Sequence, residues 1–139
     1  ERFWKLDSLA EYTIKDIWTT KISHRSAELV EENERFVKLI FPLNSFSYWN
    51  GNALNSRDYQ EYFIEDLHST HEINNLSFDS CVTVIQNSKS NQIEYESDKE
   101  IYAKGIGLIY RENIILNINS GYILSVNSGS EYFQELLAY

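Results

Sequence analysis

Apolar and polar residues alternate along much of this chain, which is the pattern of β-strands that are buried on one face. The clearest segment is 35–41, which stops at Pro42, a residue that cannot donate a ladder hydrogen bond. Segments 16–23, 59–68 and 77–86 are also rich in β-branched and aromatic residues, which favour strands. The pattern therefore predicts an all-β fold.

Short polar segments separate these predicted strands. Residues 31–34 are typical of a turn that makes a hairpin of the strands on either side, and residues 44–58 are typical of a longer loop. The same composition predicts turns at 87–91 and 127–130.

The last segment, 131–139, fits two kinds of element. Its apolar residues match a helical stripe, which a capping box of Ser128 and Glu131 would begin. They also match a closing strand, and we favour the strand because every neighbouring segment is predicted as one. Residues 1–15 fit either element equally.

Gly105 and Gly107 interrupt an otherwise apolar run and give the most informative local signal in the chain. Glycine weakens a strand interior and usually marks a bulge or a bend. We therefore predict one long strand over 93–111 that bends at the two glycines, as in a curved sheet. Together these patterns predict a single all-β domain over 1–139, built as an antiparallel sandwich or a partly closed barrel.

Composition and charge narrow the classes of partner. The formal net charge is −9, and all of it comes from residues 58–139. Such an acidic field repels phosphate backbones, so nucleic-acid binding is not expected. No apolar run reaches about 18 residues, so we expect no membrane-spanning helix. The single cysteine, Cys81, excludes an internal disulfide and is expected to be an inert, half-buried thiol.

The segment around Gly51 is the strongest candidate for ligand binding. Tyr48 and Trp49 with the amides of Asn50 and Asn52 could stack on and hydrogen-bond a sugar or a similar polar ring. The alternative is structural: Asn50 and Gly51 form a tight turn while Trp49 fills the end of the core.

A row of acidic residues is the second candidate. Glu94, Glu96, Asp98 and Glu100 alternate with other residues, so a strand would place all four carboxylates on one face. They could bind Ca²⁺ through oxygen ligands. The spacing of a calcium loop is missing, so we favour a charged sheet edge that opposes aggregation.

Other chemistry has little support in the sequence. His68 and His71 could share a zinc ion on a helix, but no third ligand is placed by spacing, and solvated loop histidines are the simpler interpretation. No nucleophile elbow, phosphate loop or dinucleotide fingerprint is present. We therefore predict no catalytic residue, no metal and no cofactor.

Three pieces of the chain, in this order, carry a family resemblance: Val37–Pro42 leading to Trp49–Ala53, Leu76–Ser80 with Val82–Gln86, and Glu100–Arg111. Together they resemble uncharacterised secreted lipoproteins of Bacteroidetes-type bacteria, in which a lipidated cysteine precedes an all-β domain. The resemblance implies a place in the cell envelope and membrane contact only through that lipid. It also implies an N-terminal hairpin and a lipidation segment upstream that are missing from this sequence.

The leading functional hypothesis is a non-catalytic binding or structural domain of the cell envelope. The alternative is a carrier that holds a lipid or another hydrophobic ligand in a cavity of a curved sheet. A third and weaker hypothesis is a hydrolase whose carboxylates converge only in three dimensions.

Overall fold

A computed structural model describes residues 2–5, 9–119 and 122–138 of the chain. Every regular element among these residues is a β-strand, and all strand pairs are antiparallel. The predicted all-β antiparallel fold is confirmed. Within the described ranges, no helix is long and apolar enough to cross a membrane.

The chain forms two compact units. The first comprises Glu1–Pro42 and Gly51–Tyr59, and the second comprises Leu43–Asn50 and Gln60–Tyr139. Two such units can belong to one domain, so the single domain over 1–139 stays a prediction.

The first unit contains five strands in two small sheets. In chain order they are β1 (Arg2–Trp4), β2 (Thr13–Asp16), β3 (Thr19–Ile22), β4 (Ser26–Glu31) and β5 (Glu34–Ile40). β1 pairs with β2, while β3, β4 and β5 form a three-stranded sheet with β4 in the middle.

The predicted turn at 31–34 exists, but it joins β4 to β5, and the sequence pattern had missed β4. Glu32 and Asn33 form this turn with positive φ, the conformation of a two-residue hairpin loop whose twist matches that of the strands. β5 ends two residues before Pro42, as the missing donor of proline predicts.

The second unit contains one open sheet of six strands. They are β6 (Tyr48–Asn50), β7 (Glu61–Ile73), β8 (Leu76–Ser90), β9 (Glu94–Ala103), β10 (Gly107–Asn119) and β11 (Tyr122–Glu135). Each strand pairs with the next along the chain, so β6 and β11 form the two edges.

The single bent strand predicted over 93–111 is wrong. β9 ends at Ala103, β10 begins at Gly107, and the two pair as a hairpin. The Ile106 amide donates to the Ala103 carbonyl at 3.1 Å to close the turn. Gly105 and Gly107 have φ of 79° and 108°, which glycine adopts without steric cost. The glycines therefore reverse the chain where we had expected a bend.

The C-terminal segment is a strand to Glu135, as favoured, but the predicted turn at 127–130 is wrong. β11 runs through these residues, and an irregularity in its pairing with β10 lies between Asn117 and Ile118. The turn predicted at 87–91 starts later than expected, because β8 continues to Ser90.

A small core lies on one face of the six-stranded sheet. Phe78, Cys81, Ile101, Ala103 and Ile109 are buried together there, with Leu136 packed against them. The turn between β7 and β8 also reaches the end of β11, where Asn74 Nδ2 donates to the Leu136 carbonyl at 3.1 Å. The end of the β7–β8 hairpin therefore covers one side of this core, and the sheet does not close into a barrel.

Candidate functional site

The edge strand β6 separates the two aromatic residues predicted to form a binding platform. Trp49 is buried, and its ring meets the Tyr62 ring edge-on at 6.1 Å between centroids. Tyr48 is 68% exposed and lies opposite Phe63 on β7. Because successive residues of a strand point to opposite faces, the two rings cannot stack on one ligand.

Tyr48 instead belongs to an open surface pocket of about 330 Å³ in the second unit. Phe46, Tyr48 and Phe63 contribute three aromatic rings, which are 94%, 68% and 40% exposed. The rest of the lining is Ser45, Ser47, Glu61 and Ile64. Exposed apolar side chains that cluster in one concave place are typical of an interaction site.

The alternation of β7 explains why the pocket faces solvent. Tyr62 and Ile64 are buried, so Phe63 between them must point to the other face. The Ile64 amide donates to the Ser47 carbonyl at 3.1 Å, which extends the pairing and fixes the segment that carries Phe46 against β7. Phe46 and Phe63 were not predicted from the sequence. The period-two pattern of 61–64 was the available signal.

The two predicted amides stabilise turns around β6. Asn50 Oδ1 accepts the Gln60 amide at 3.1 Å, and Asn52 Nδ2 donates to the Asp58 carbonyl at 2.7 Å. Gly51 begins the turn and is buried. Its carbonyl accepts a hydrogen bond from the Val37 amide at 2.9 Å. Asn50 lies in the second unit, while Gly51 and Asn52 lie in the first. Ligand binding by these amides stays a prediction.

The four acidic residues of β9 lie on one face, as predicted, but the sheet-edge interpretation is wrong because β9 pairs with both β8 and β10. Their side chains run from 37% exposed at Glu94 to fully buried at Glu100. Glu94 forms an ion pair with Lys89, and Glu96 accepts a 2.6 Å hydrogen bond from Asn87 Nδ2. No cluster of metal-ligating side chains occurs in the part of the chain that the structure describes.

The buried end of this acidic row is held by charge and hydrogen bonding. Arg111 Nε lies 3.6 Å from Glu100 Oε1, and the Tyr102 hydroxyl donates to Glu100 Oε2. Burial and the adjacent Glu100 carboxylate raise the pKa of Tyr102 well above its ordinary value. Tyr102 is therefore a fixed donor.

Glu112 is a second buried carboxylate, on the opposite face of the sheet. It accepts hydrogen bonds from Ser97 Oγ at 2.8 Å and from the Tyr110 hydroxyl at 3.0 Å, and Lys99 Nζ lies at 3.2 Å. Burial alone would raise the pKa of Glu112, but these contacts outweigh it and the pKa lies below its ordinary value.

Glu100 and Glu112 cannot act as a catalytic pair. Glu112 lies opposite Lys99, the neighbour of Glu100, so the two carboxylates occupy different faces. Hydrolysis of a glycosidic bond by two carboxylates needs the two groups to flank the same bond.

The remaining candidates lie on β7 and β8, so the two histidines are on a strand and not in a loop, where they had been expected. His68 is exposed with φ of 68°, and His71 Nε2 lies 3.2 Å from Ser69 Oγ. Cys81 is fully buried, where half-burial was expected, and its Sγ lies 3.5 Å from the Phe78 carbonyl. Burial raises the pKa of the Cys81 thiol, which disfavours the nucleophilic thiolate.

Comparisons of the chain with protein-family models, curated proteins and solved structures found no match. The resemblance to secreted lipoproteins stays a prediction, and the aromatic pocket on β6 and β7 is the candidate binding site.

Proposed function

We propose that this chain is a non-catalytic binding domain that holds the ring of a sugar, or a similar polar ring, on the pocket of Phe46, Tyr48 and Phe63. The observation that carries the proposal is the presence of three exposed aromatic side chains around one pocket. Leaving such rings in water is unfavourable unless a partner covers them.

The lining suits a ligand with both apolar and polar surface. Aromatic faces stack on the C–H face of a sugar ring, while the Ser45 and Ser47 hydroxyls can hydrogen-bond its hydroxyl groups. The volume of about 330 Å³ is at the lower end of small-molecule pockets. A pocket of this size would accommodate one or two rings.

The openness of the pocket favours surface binding over enclosure. Phe46 is 94% exposed, so a ligand on it would keep one side in water. A lipid carrier would bury nearly all of its ligand, and for this reason we place the carrier function second.

A ¹⁵N-resolved NMR titration with a panel of neutral mono- and disaccharides tests the proposal. We expect shifts that saturate with ligand and map to residues 45–48 and 61–64. Tyr48→Ala and Phe63→Ala should each weaken binding about 5- to 150-fold if a sugar ring gains as much from one aromatic side chain as a stacked nucleobase does, about 1–3 kcal/mol. Tyr12→Ala removes an exposed tyrosine outside the pocket and should change nothing.

Two results would contradict the proposal. One is the absence of saturable shifts at the pocket with every sugar of the panel at about 50 mM, roughly 50-fold above a millimolar dissociation constant. The other is an equal loss of affinity in Tyr12→Ala and Tyr48→Ala. Trp49→Ala is the control for loss of folding, because removal of this buried ring should cost about 3–5 kcal/mol of stability.

The cell envelope is our proposed location, and it rests on the family resemblance alone. Fractionation of cells that express the full-length protein, with metabolic labelling by a fatty acid, tests it. Recovery of unlabelled protein in the soluble cytoplasmic fraction would refute the lipoprotein assignment and leave the pocket proposal intact.

A further inference from the structure

The outer edge of β11 carries backbone groups that have no strand partner among the described residues. The Leu136 amide donates to the Ile109 carbonyl at 2.9 Å. In an antiparallel ladder, pairs that exchange hydrogen bonds alternate with pairs that do not. Tyr132 and Gln134, at even spacings from Leu136, therefore bond to β10.

The intervening residues point their amide and carbonyl groups away from the sheet. These are Gly129, Glu131, Phe133 and Glu135, and their register against β10 is continuous. They provide four donors and four acceptors along one edge. An edge of this length is a template for an added strand.

The side chains on this edge form a regular pattern. Glu131, Phe133 and Glu135 all lie on one face of β11 and are exposed. An exposed apolar ring thus stands between two carboxylates. The two carboxylates are separated by four residues, or about 13 Å along the strand.

Charge indicates what kind of strand would bind there. Residues 58–139 account for the whole net charge of −9, so a cationic segment is attracted at long range and an acidic one is repelled. Opposite charges in directly facing cross-strand positions are favourable. A basic residue facing Glu131 would add one ion pair, and a basic residue facing Glu135 would share that carboxylate with Asn74 Nδ2, which donates to Oε2 at 3.2 Å.

We propose that the outer edge of β11 binds an extended basic peptide by antiparallel strand addition. In this arrangement an apolar residue of the peptide lies opposite Phe133, and basic residues two positions to either side lie opposite Glu131 and Glu135. This site is separate from the aromatic pocket and does not depend on it.

A second copy of the chain is the competing occupant. If two β11 strands paired around Phe133, Glu131 of one copy would lie directly opposite Glu135 of the other. Like charges in facing positions are destabilising. The acidic pattern thus favours a basic peptide over self-pairing.

The test is an NMR titration of the chain with the capped peptide Thr-Lys-Thr-Val-Thr-Lys-Thr. We expect saturable shifts at the amides of Gly129, Glu131, Phe133 and Glu135. N-methylation of the valine amide removes a hydrogen bond to β11 and should abolish binding. The amide of the threonine next to the valine points away from β11, so N-methylation of that amide should leave binding nearly unchanged.

Variants of the chain test the charge pattern. The double variant Glu131→Gln/Glu135→Gln should weaken binding about 2- to 30-fold, from two cross-strand charge pairs. The matched control Glu65→Gln/Glu72→Gln neutralises two exposed carboxylates of β7 and should weaken binding less than about twofold, since distant exposed charges are screened.

Three outcomes would overturn the proposal. The first is no shift on β11 at millimolar peptide, and the second is equal binding of the peptide N-methylated at valine. The third is a concentration-dependent dimer, seen by analytical ultracentrifugation, that Phe133→Pro abolishes, since that would identify a second copy as the occupant. If Phe133→Pro does not fold, the pair of N-methylated peptides decides the question without it.

Discussion

Replacing Arg111 with Met tests the buried charge cluster between β9 and β10. Glu100 is fully buried, and Arg111 Nε lies 3.6 Å from its Oε1. At an effective dielectric constant of about 20, this separation corresponds to about 4–5 kcal/mol of attraction. Loss of one partner of a buried pair costs about 3–5 kcal/mol in measured cases, because the remaining charge stays buried. We therefore expect Arg111→Met to lower the free energy of unfolding by about 3–5 kcal/mol.

Urea unfolding followed by far-UV circular dichroism measures this loss, and a double-mutant cycle with Glu100→Gln isolates the pair. The loss of unfolding free energy in the double variant should be at least about 2 kcal/mol smaller than the sum of the losses in the two single variants. Arg57→Met is the matched control, because Arg57 pairs with Glu34 at an exposed position and should cost about 0–1 kcal/mol. A loss below about 1 kcal/mol for Arg111→Met, with no coupling to Glu100→Gln, would refute the reasoning.

Three further predictions concern single residues. Because the pKa of Glu112 is lowered, its stabilisation is present above its unfolded-state pKa of about 4.3 and is lost as the pH falls through the folded-state value. Glu112→Gln should therefore flatten the acid limb of a plot of unfolding free energy against pH, and an unchanged limb would contradict this. Gly105→Ala should cost about 1 kcal/mol from positive φ alone, since no atom lies within 4 Å of an added Cβ, and Gly105→Asn should cost measurably less in the same urea assay. Cys81, which is buried, should react with iodoacetamide only as fast as the chain opens, so labelling in native buffer that matches the rate in urea would contradict its burial.

The period-two pattern was sufficient to predict the fold class and the positions of β7 and β8, whereas β6 lies inside the predicted loop 44–58. It failed where one glycine-containing segment allows two conformations. Gly105 and Gly107 are compatible with a bend in one strand and with a reversal between two, and the pairing of β9 with β10 decides between them. Such long-range pairing is not encoded in the local pattern, and the same reason explains the missed strand β4.

The candidate site was predictable only in part. Tyr48 was identified, but its apparent partner Trp49 points to the other face, as alternation along a strand requires. The true neighbours are Phe46, two residues earlier, and Phe63, on the paired strand. A pocket built across two strands can be found from sequence only when the register between them is known.

The buried charges of β9 and β10 favour one register between these two strands. A one-residue slip moves every side chain of a strand to the other face. If β10 shifted by one residue along β9, Glu100 would lie opposite Glu112 or Tyr110, depending on the direction. Arg111 would then lie on the same face as Lys99. Either register separates Glu100 from its cation inside the sheet, at a cost of about 3–5 kcal/mol. The pair therefore selects one register between β9 and β10 in the middle of the sheet.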